Sequence, residues 1–136
     1  MMRIVGSWDV TAVPGLALPA DVGHRPWLTF DGDGQVYGLA GVNRMRGTWS
    51  IDGDVLTFGP LVSTLMAGPP DAMAVESALH RLLAGRLTLH TADGARITSS
   101  DPLTSAAVTI AGRPSIVDLV SDDGDVLELR RTAARA

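Results

Sequence analysis

The chain is expected to fold as a mainly β domain: a small curled antiparallel sheet or partly closed barrel with one helix packed against it. Three observations predict this. Short runs alternate apolar and polar residues with a period of two. Asp-Gly pairs at 31–32, 33–34, 52–53, 93–94 and 123–124 punctuate those runs. One segment alone changes to helical spacing. Alternation places one face on a core and one in water, and Asp-Gly tolerates the positive φ of tight hairpin turns.

Strands are expected near 4–12, 27–31, 35–40, 45–51, 54–59, 86–92, 95–99, 105–111, 115–121 and 125–131. In the first, Ile4, Trp8 and Val10 share the inner face while Ser7, Asp9 and Thr11 take the other. Met45, Trp49 and Ile51 oppose Arg46, Thr48 and Ser50; Leu87 and Leu89 oppose Arg86, Thr88 and His90; Leu127 and Leu129 oppose Glu128 and Arg130. The helix is expected over 71–84, with Asp71 as N-cap and Gly85 past its end. Met73, Ala74, Ala78, Leu79, Leu82 and Leu83 form its core-facing stripe. Val13 to Pro26 and Gly59 to Pro70 read as proline-rich connections, and Trp8, Trp27 and Trp49 as candidates to fill the interior.

The 136 residues suit one domain, 1–136, with no linker dividing it. Hydrophobic residues make up 46% and charged residues 19%, which excludes general disorder. The net charge of −4 has scattered signs, so nucleic acid is not expected as a partner. Arg130, Arg131 and Arg135 read as a short solvated basic tail. With no cysteine, disulfides, thiolate chemistry and cysteine lipidation are excluded. Residues 1–9 carry no apolar stretch of the roughly 7–15 residues an export signal uses, and no run reaches the ~18 of a membrane span. A cytoplasmic protein without a membrane anchor is the expectation.

The middle of the chain carries an ordered series: Gly6-Ser7-Trp8, Leu28-Thr29-Phe30, Gly38-Leu39-Ala40-Gly41-Val42-Asn43-Arg44 and Gly47-Thr48-Trp49. Leu56-Thr57-Phe58-Gly59-Pro60, Ser63-Thr64-Leu65-Met66-Ala67, Glu76 and Arg86-Leu87-Thr88-Leu89 continue it. This order resembles the META domain family, which includes the HslJ-like heat-shock proteins, most strongly over 4–99. Residues 100–136 read as extra strands and tail. The resemblance implies a curled, lipocalin-like sheet with a packed helix, relatives that are often envelope-associated and linked to stress tolerance, and no catalytic residues. Many relatives carry cysteines at the places held here by Val42 and Gly68. If those pair in exported relatives, their joint loss suits a reducing cytosol.

Asn43, Arg44 and Arg46 lie on a turn flanked by Gly41 and Gly47. They read either as a polar lip for an anionic group or partner loop, or as structure. In the structural reading Asn43 bonds adjacent main chain, and the arginines are solvated or paired with Glu76 or a loop aspartate. Glu76 reads as a buried acid of raised pKa, as a paired residue pinning helix to sheet with Thr64 nearby, or as exposed beside His80. Leu61, Val62, Leu65 and Met66 read as a plug completing the core, a lid, or a contact patch. The histidines at 24, 80 and 90 are spread too widely for a zinc site, and 31–42 lacks the ligands of a calcium loop. No nucleophile elbow, phosphate-binding loop or dinucleotide fingerprint occurs. A non-enzymatic domain with no cofactor is therefore expected, binding an unknown protein partner or itself. The alternative is a carrier of a small apolar ligand inside the barrel.

Overall fold

The computed structural model describes residues 4–91, 109–110, 113–114 and 116–132. Its strands are β1 (Gly6–Ala12), β2 (Trp27–Phe30), β3 (Gln35–Leu39), β4 (Arg44–Asp52), β5 (Val55–Phe58), β6 (Val62–Ser63), β7 (Leu87–Thr91), β8 (Thr109–Ile110), β9 (Arg113–Pro114), β10 (Ile116–Ser121) and β11 (Val126–Thr132). Among the described residues one α-helix, α1, spans Pro70–Leu83. The expected strand at 95–99 lies outside the described residues. Of the one expected at 105–111, β8 is described, paired with β9 in a separate two-stranded sheet.

The main sheet runs β3-β2-β1-β11-β10-β7-β5-β4, and β3 pairs with β4 to close it into an eight-stranded antiparallel barrel. Closure is complete where a partly closed sheet was one expectation, because β4 is long enough to pair with β3 along one edge and with β5 and β6 along the other. Its Arg44–Thr48 half pairs with β3, while Met45–Arg46 and Trp49–Asp52 pair on the other edge with β6 and β5. The two-residue β6 falls in a connection expected to be a loop, and it ends the strand order. Its brevity and the prolines at 60, 69 and 70 hide it from periodicity.

Alternation sorts the side chains as the sequence predicts. Trp8, Val10, Leu28, Phe30, Met45, Trp49, Leu56, Leu87, Leu89, Leu119, Leu127 and Leu129 are buried in one inner cluster. Phe30 meets Trp49 edge-on with ring centroids 5.5 Å apart. Trp27 departs from expectation. It alternates with Leu28 and stands on the outer face, edge-on to Tyr37 at 6.3 Å. There the 13–26 connection covers it, lining a small cavity with Leu18, Val22 and Arg25.

The N-cap lies two residues earlier than expected. Pro69 is the N-cap, and Pro70 at the first helical position gives up no hydrogen bond. Asp71 is therefore not the cap; inside the first turn its Oδ1 accepts from the Ala72 N–H at 2.8 Å. The buried face holds Ala72, Val75, Glu76, Ala78, Leu79, Leu82 and Leu83. Val75, Ala78, Leu79, Leu82 and Leu83 join the barrel's own cluster, so the helix packs directly on the core. Met73 is only half-buried and Ala74 exposed, a correction to the predicted stripe. No helix among the described residues is long and apolar enough to cross a membrane.

Arg131 is not part of a solvated tail. It continues the inward register of Leu127 and Leu129, lies opposite Trp8, and stacks its guanidinium 4.2 Å from the Trp8 ring centroid. Its Nη1 donates to the Val5 carbonyl at 2.8 Å, and Trp8 Nε1 donates to the Ile4 carbonyl at 2.7 Å. These bonds supply polar partners at the edge of an apolar interior.

Candidate functional site

The connections around α1 meet at Asn43. Between β3 and β4 the chain turns tightly, the Ala40 N–H donating to the Asn43 carbonyl at 2.9 Å. Gly41 sits at φ +151°, where a Cβ would stand 2.6 Å from the Ala72 carbonyl oxygen. A side chain there would push the turn off the helix, so glycine sets this close approach. The approach brings the turn onto Glu76. Its Oε1 accepts from the Val42 N–H at 3.0 Å and the Asn43 N–H at 2.7 Å, and its Oε2 accepts from Asn43 Nδ2 at 2.7 Å.

Asn43 then ties in the 60–69 segment. Its Oδ1 accepts from Thr64 Oγ1 at 2.8 Å and the Met66 N–H at 2.6 Å, and its Nδ2 donates to the Met66 carbonyl at 2.9 Å. Both amide hydrogens and both lone pairs of the side chain are used. Thr64 completes the link: its Oγ1 accepts from the Arg44 N–H at 3.2 Å, and its own N–H donates to the Arg44 carbonyl at 3.1 Å. Asn43 and Glu76 are 2% and 7% exposed. The reading of Glu76 as a pin between helix and sheet is the one the coordinates show, and Asn43 is an internal linker that a binding partner cannot reach. Asn43 reaches main chain far along the sequence, not the adjacent main chain expected.

The direction of the Glu76 pKa follows from these bonds. Burial pushes its carboxyl up. The Asn43 side-chain donor, the Asn43 and Val42 N–H groups and nearby His80 outweigh burial and hold it below its ordinary value of 4.5. A raised pKa, one of the expectations, is thereby overturned.

The apolar residues of the pinned segment divide. Leu61 is half-buried against the core. Val62, Leu65 and Met66 are 74%, 95% and 58% exposed. A plug completing the core is thus wrong for all but Leu61. The sequence marks this segment as a proline-bounded apolar connection, but it does not show that Asn43 holds the main chain while the side chains face outward.

Arg44 and Arg46 flank a surface groove over β4, lined also by Tyr37, Thr48, Pro60, Val62 and Thr64. Among the described residues neither arginine forms an ion pair with Glu76 or a loop aspartate. Arg44 lies 6.0 Å from the Trp27 ring centroid and Arg46 5.7 Å from that of Tyr37. Stacking orients the guanidinium groups while leaving their N–H edges for another acceptor.

A second polar cluster lies on the outer face of β7, β10 and β11. His90 pairs in register with Asp118, and Asp118 with Glu128. Glu128 accepts from Thr11 Oγ1 at 2.7 Å. The buried atoms Asp118 Oδ1 and His90 Nδ1 have no hydrogen-bond partner among the described residues. Burial first, then the Glu128 charge, raise the Asp118 pKa above 3.8, against an opposing effect of His90. Sequence reasoning missed this row because alternation marks each member as a wet-face residue. Among the described residues no group of three or more His, Asp and Glu side chains is placed to hold a metal ion.

Positions 42 and 68 are neighbours in space. A Cβ built on Gly68 would collide with both methyl groups of Val42. The places where the family resemblance puts a cysteine pair therefore adjoin across the loop that Asn43 holds.

Comparison with solved structures agrees with this architecture. An NMR structure of a protein from Burkholderia xenovorans is 26% identical and superimposes with a TM-score of 0.64, over 93% of this chain and 81% of that one. Another NMR structure, 15% identical, shares the fold with a TM-score of 0.62 over 95% of this chain and 90% of that one. No curated protein matches the chain. The META domain family model matches residues 3–104, three quarters of the sequence and all of the Asn43–Glu76 site, so the chain belongs to the META domain family.

Proposed function

We propose that this domain binds another protein through the segment Val62–Met66 and catalyses no reaction. One observation carries the reading: three large apolar side chains are exposed within five residues, on a segment whose main chain is tied to a buried asparagine. Scattered apolar residues are ordinary on a surface. A cluster on a held loop presents a fixed shape to a partner, and little entropy is lost when it is covered. The saturation of Glu76 by three donors supports the non-catalytic part, since such a carboxylate is a poor proton acceptor.

Carriage of a small apolar ligand requires interior space, and the described inner side chains form one packed cluster with the helix against it. We therefore rank carriage below protein contact. A cytoplasmic, stress-associated setting is part of the same proposal. It is supported by the absence of cysteine at positions 42 and 68 and by the associations of the family resemblance.

The test places a photo-crosslinking residue at position 65 in cells of the source organism. A discrete adduct is expected, lost when Val62 and Met66 are both changed to serine. Native mass spectrometry of gently purified protein reports oligomeric state and retained ligand together. A strictly monomeric, ligand-free protein with no adduct would remove the proposal.

A further inference from the structure

We infer that the partner presents an extended acidic-apolar segment, which lies in the groove over β4 with its carboxylates on Arg44 and Arg46. This inference rests on the contact reading of Val62–Met66 and adds the chemistry of the occupant. The groove has two unlike sides. Arg44 and Arg46 lean toward Trp27 and Tyr37 on one side, while Pro60 and Val62 supply the other. Leu65 and Met66 follow directly along the same exposed segment.

Charge complementarity selects the occupant. The chain carries −4 overall, yet this groove holds two arginines against one lining carboxylate, Asp31. No ion pair within 4 Å engages either arginine among the described residues. Stacked guanidinium groups on alternate residues of one strand face the same side of the sheet, about 6.6–6.8 Å apart along it. That spacing matches alternate residues of an extended chain, so carboxylates at i and i+2 meet both. Planar N–H forks recognise carboxylates with a geometric specificity that a diffuse positive field lacks. Intervening apolar side chains of the same segment then lie toward Val62 and Leu65.

The experiment pans a displayed random-peptide library on the full chain, on the Arg44→Gln/Arg46→Gln variant and on Leu65→Ser. Unchanged thermal unfolding is required of both variants, and all three sites are on the surface. The full chain is expected to select peptides with Asp or Glu at alternate positions among apolar residues. Their affinity should fall at least tenfold in the double arginine variant and weaken with added salt. Arg44→Glu/Arg46→Glu should switch the selection toward Lys and Arg. Selection blind to acidic residues, abolished by Leu65→Ser but unaffected by the arginine changes, would overturn this inference and leave the contact reading standing. A dimer dissolved by Val62→Asp, with no peptide selected, would assign the groove to a second copy and overturn it as well.

Discussion

Two carboxylates are drawn away from water in this domain, Glu76 between helix and barrel and Asp118 on the outer face of β10. Glu76 receives three hydrogen bonds, two of them from main-chain N–H groups, and its pKa falls despite burial. Asp118 keeps a buried oxygen without a donor among the described residues and stands beside Glu128 in register, and its pKa rises. The same chemical group thus responds in opposite directions. Desolvation pushes both up; donors reverse it at Glu76, while the Glu128 charge adds to it at Asp118. The glycine that lets the 41–43 turn approach the helix provides those donors at one site. At the other, paired strands direct their N–H groups along the sheet, and no donor among the described residues reaches Asp118 Oδ1.

The sharpest way to break this contrast is Glu76→Ala, which strands two main-chain donors and the Asn43 amide. It is expected to cost about 3–5 kcal/mol, read by chemical denaturation. A loss under 1 kcal/mol would mean that the bonds are not formed in solution. Next in size is Val42→Cys with Gly68→Cys. The two positions adjoin, so a disulfide is expected in oxidising buffer, raising stability by roughly 3 kcal/mol and losing that gain on reduction. Failure to crosslink would contradict the neighbourhood of 42 and 68.

Acid titration separates the two carboxylates by sign. Glu76 has a folded pKa below its unfolded value of 4.5, so its contribution is complete above about pH 4.5 and disappears as pH falls through the folded pKa. Asp118 has a folded pKa above 3.8, so the folded state binds the extra proton and stability declines as pH rises through that window. Asp118→Asn should therefore be neutral or stabilising by up to about 1 kcal/mol at pH 7, and Glu76→Gln destabilising. Measuring both at pH 7 and pH 4 checks the sign: the Glu76→Gln deficit should shrink in acid, and the Asp118→Asn gain should shrink too. The smallest expected effect is that of Leu65→Ser. It should change unfolding free energy by no more than about 0.5 kcal/mol, because the residue is 95% exposed.

The barrel was legible because period-two alternation and Asp-Gly turns are local signals. Trp8, Trp49, Leu127 and Leu129 sit where their parity puts them. Parity does not reveal what covers an outer face, which is why Trp27 was expected inside. Nor does it show how an inward register ends, which is why Arg131 read as tail. The candidate site was partly legible. Asn43, Thr64 and Glu76 were recognisable as polar residues in apolar or glycine-rich settings, yet their convergence depends on contacts 21 to 33 residues apart in sequence. The exposure of Leu65 was hidden for the opposite reason, since an apolar run between prolines has the same composition whether it plugs a core or faces outward.

The central claim is that Asn43 and Glu76 hold the 60–69 segment in place, making Val62, Leu65 and Met66 a standing surface. Amide hydrogen exchange followed by NMR tests it directly at Met66, whose N–H donates to Asn43 Oδ1 at 2.6 Å. Protection of Met66 well above that of an exposed loop is predicted, falling selectively in Asn43→Ala while the β10 and β11 amides keep theirs. Met66 exchanging at the rate of an unprotected peptide in the unaltered protein would contradict the account.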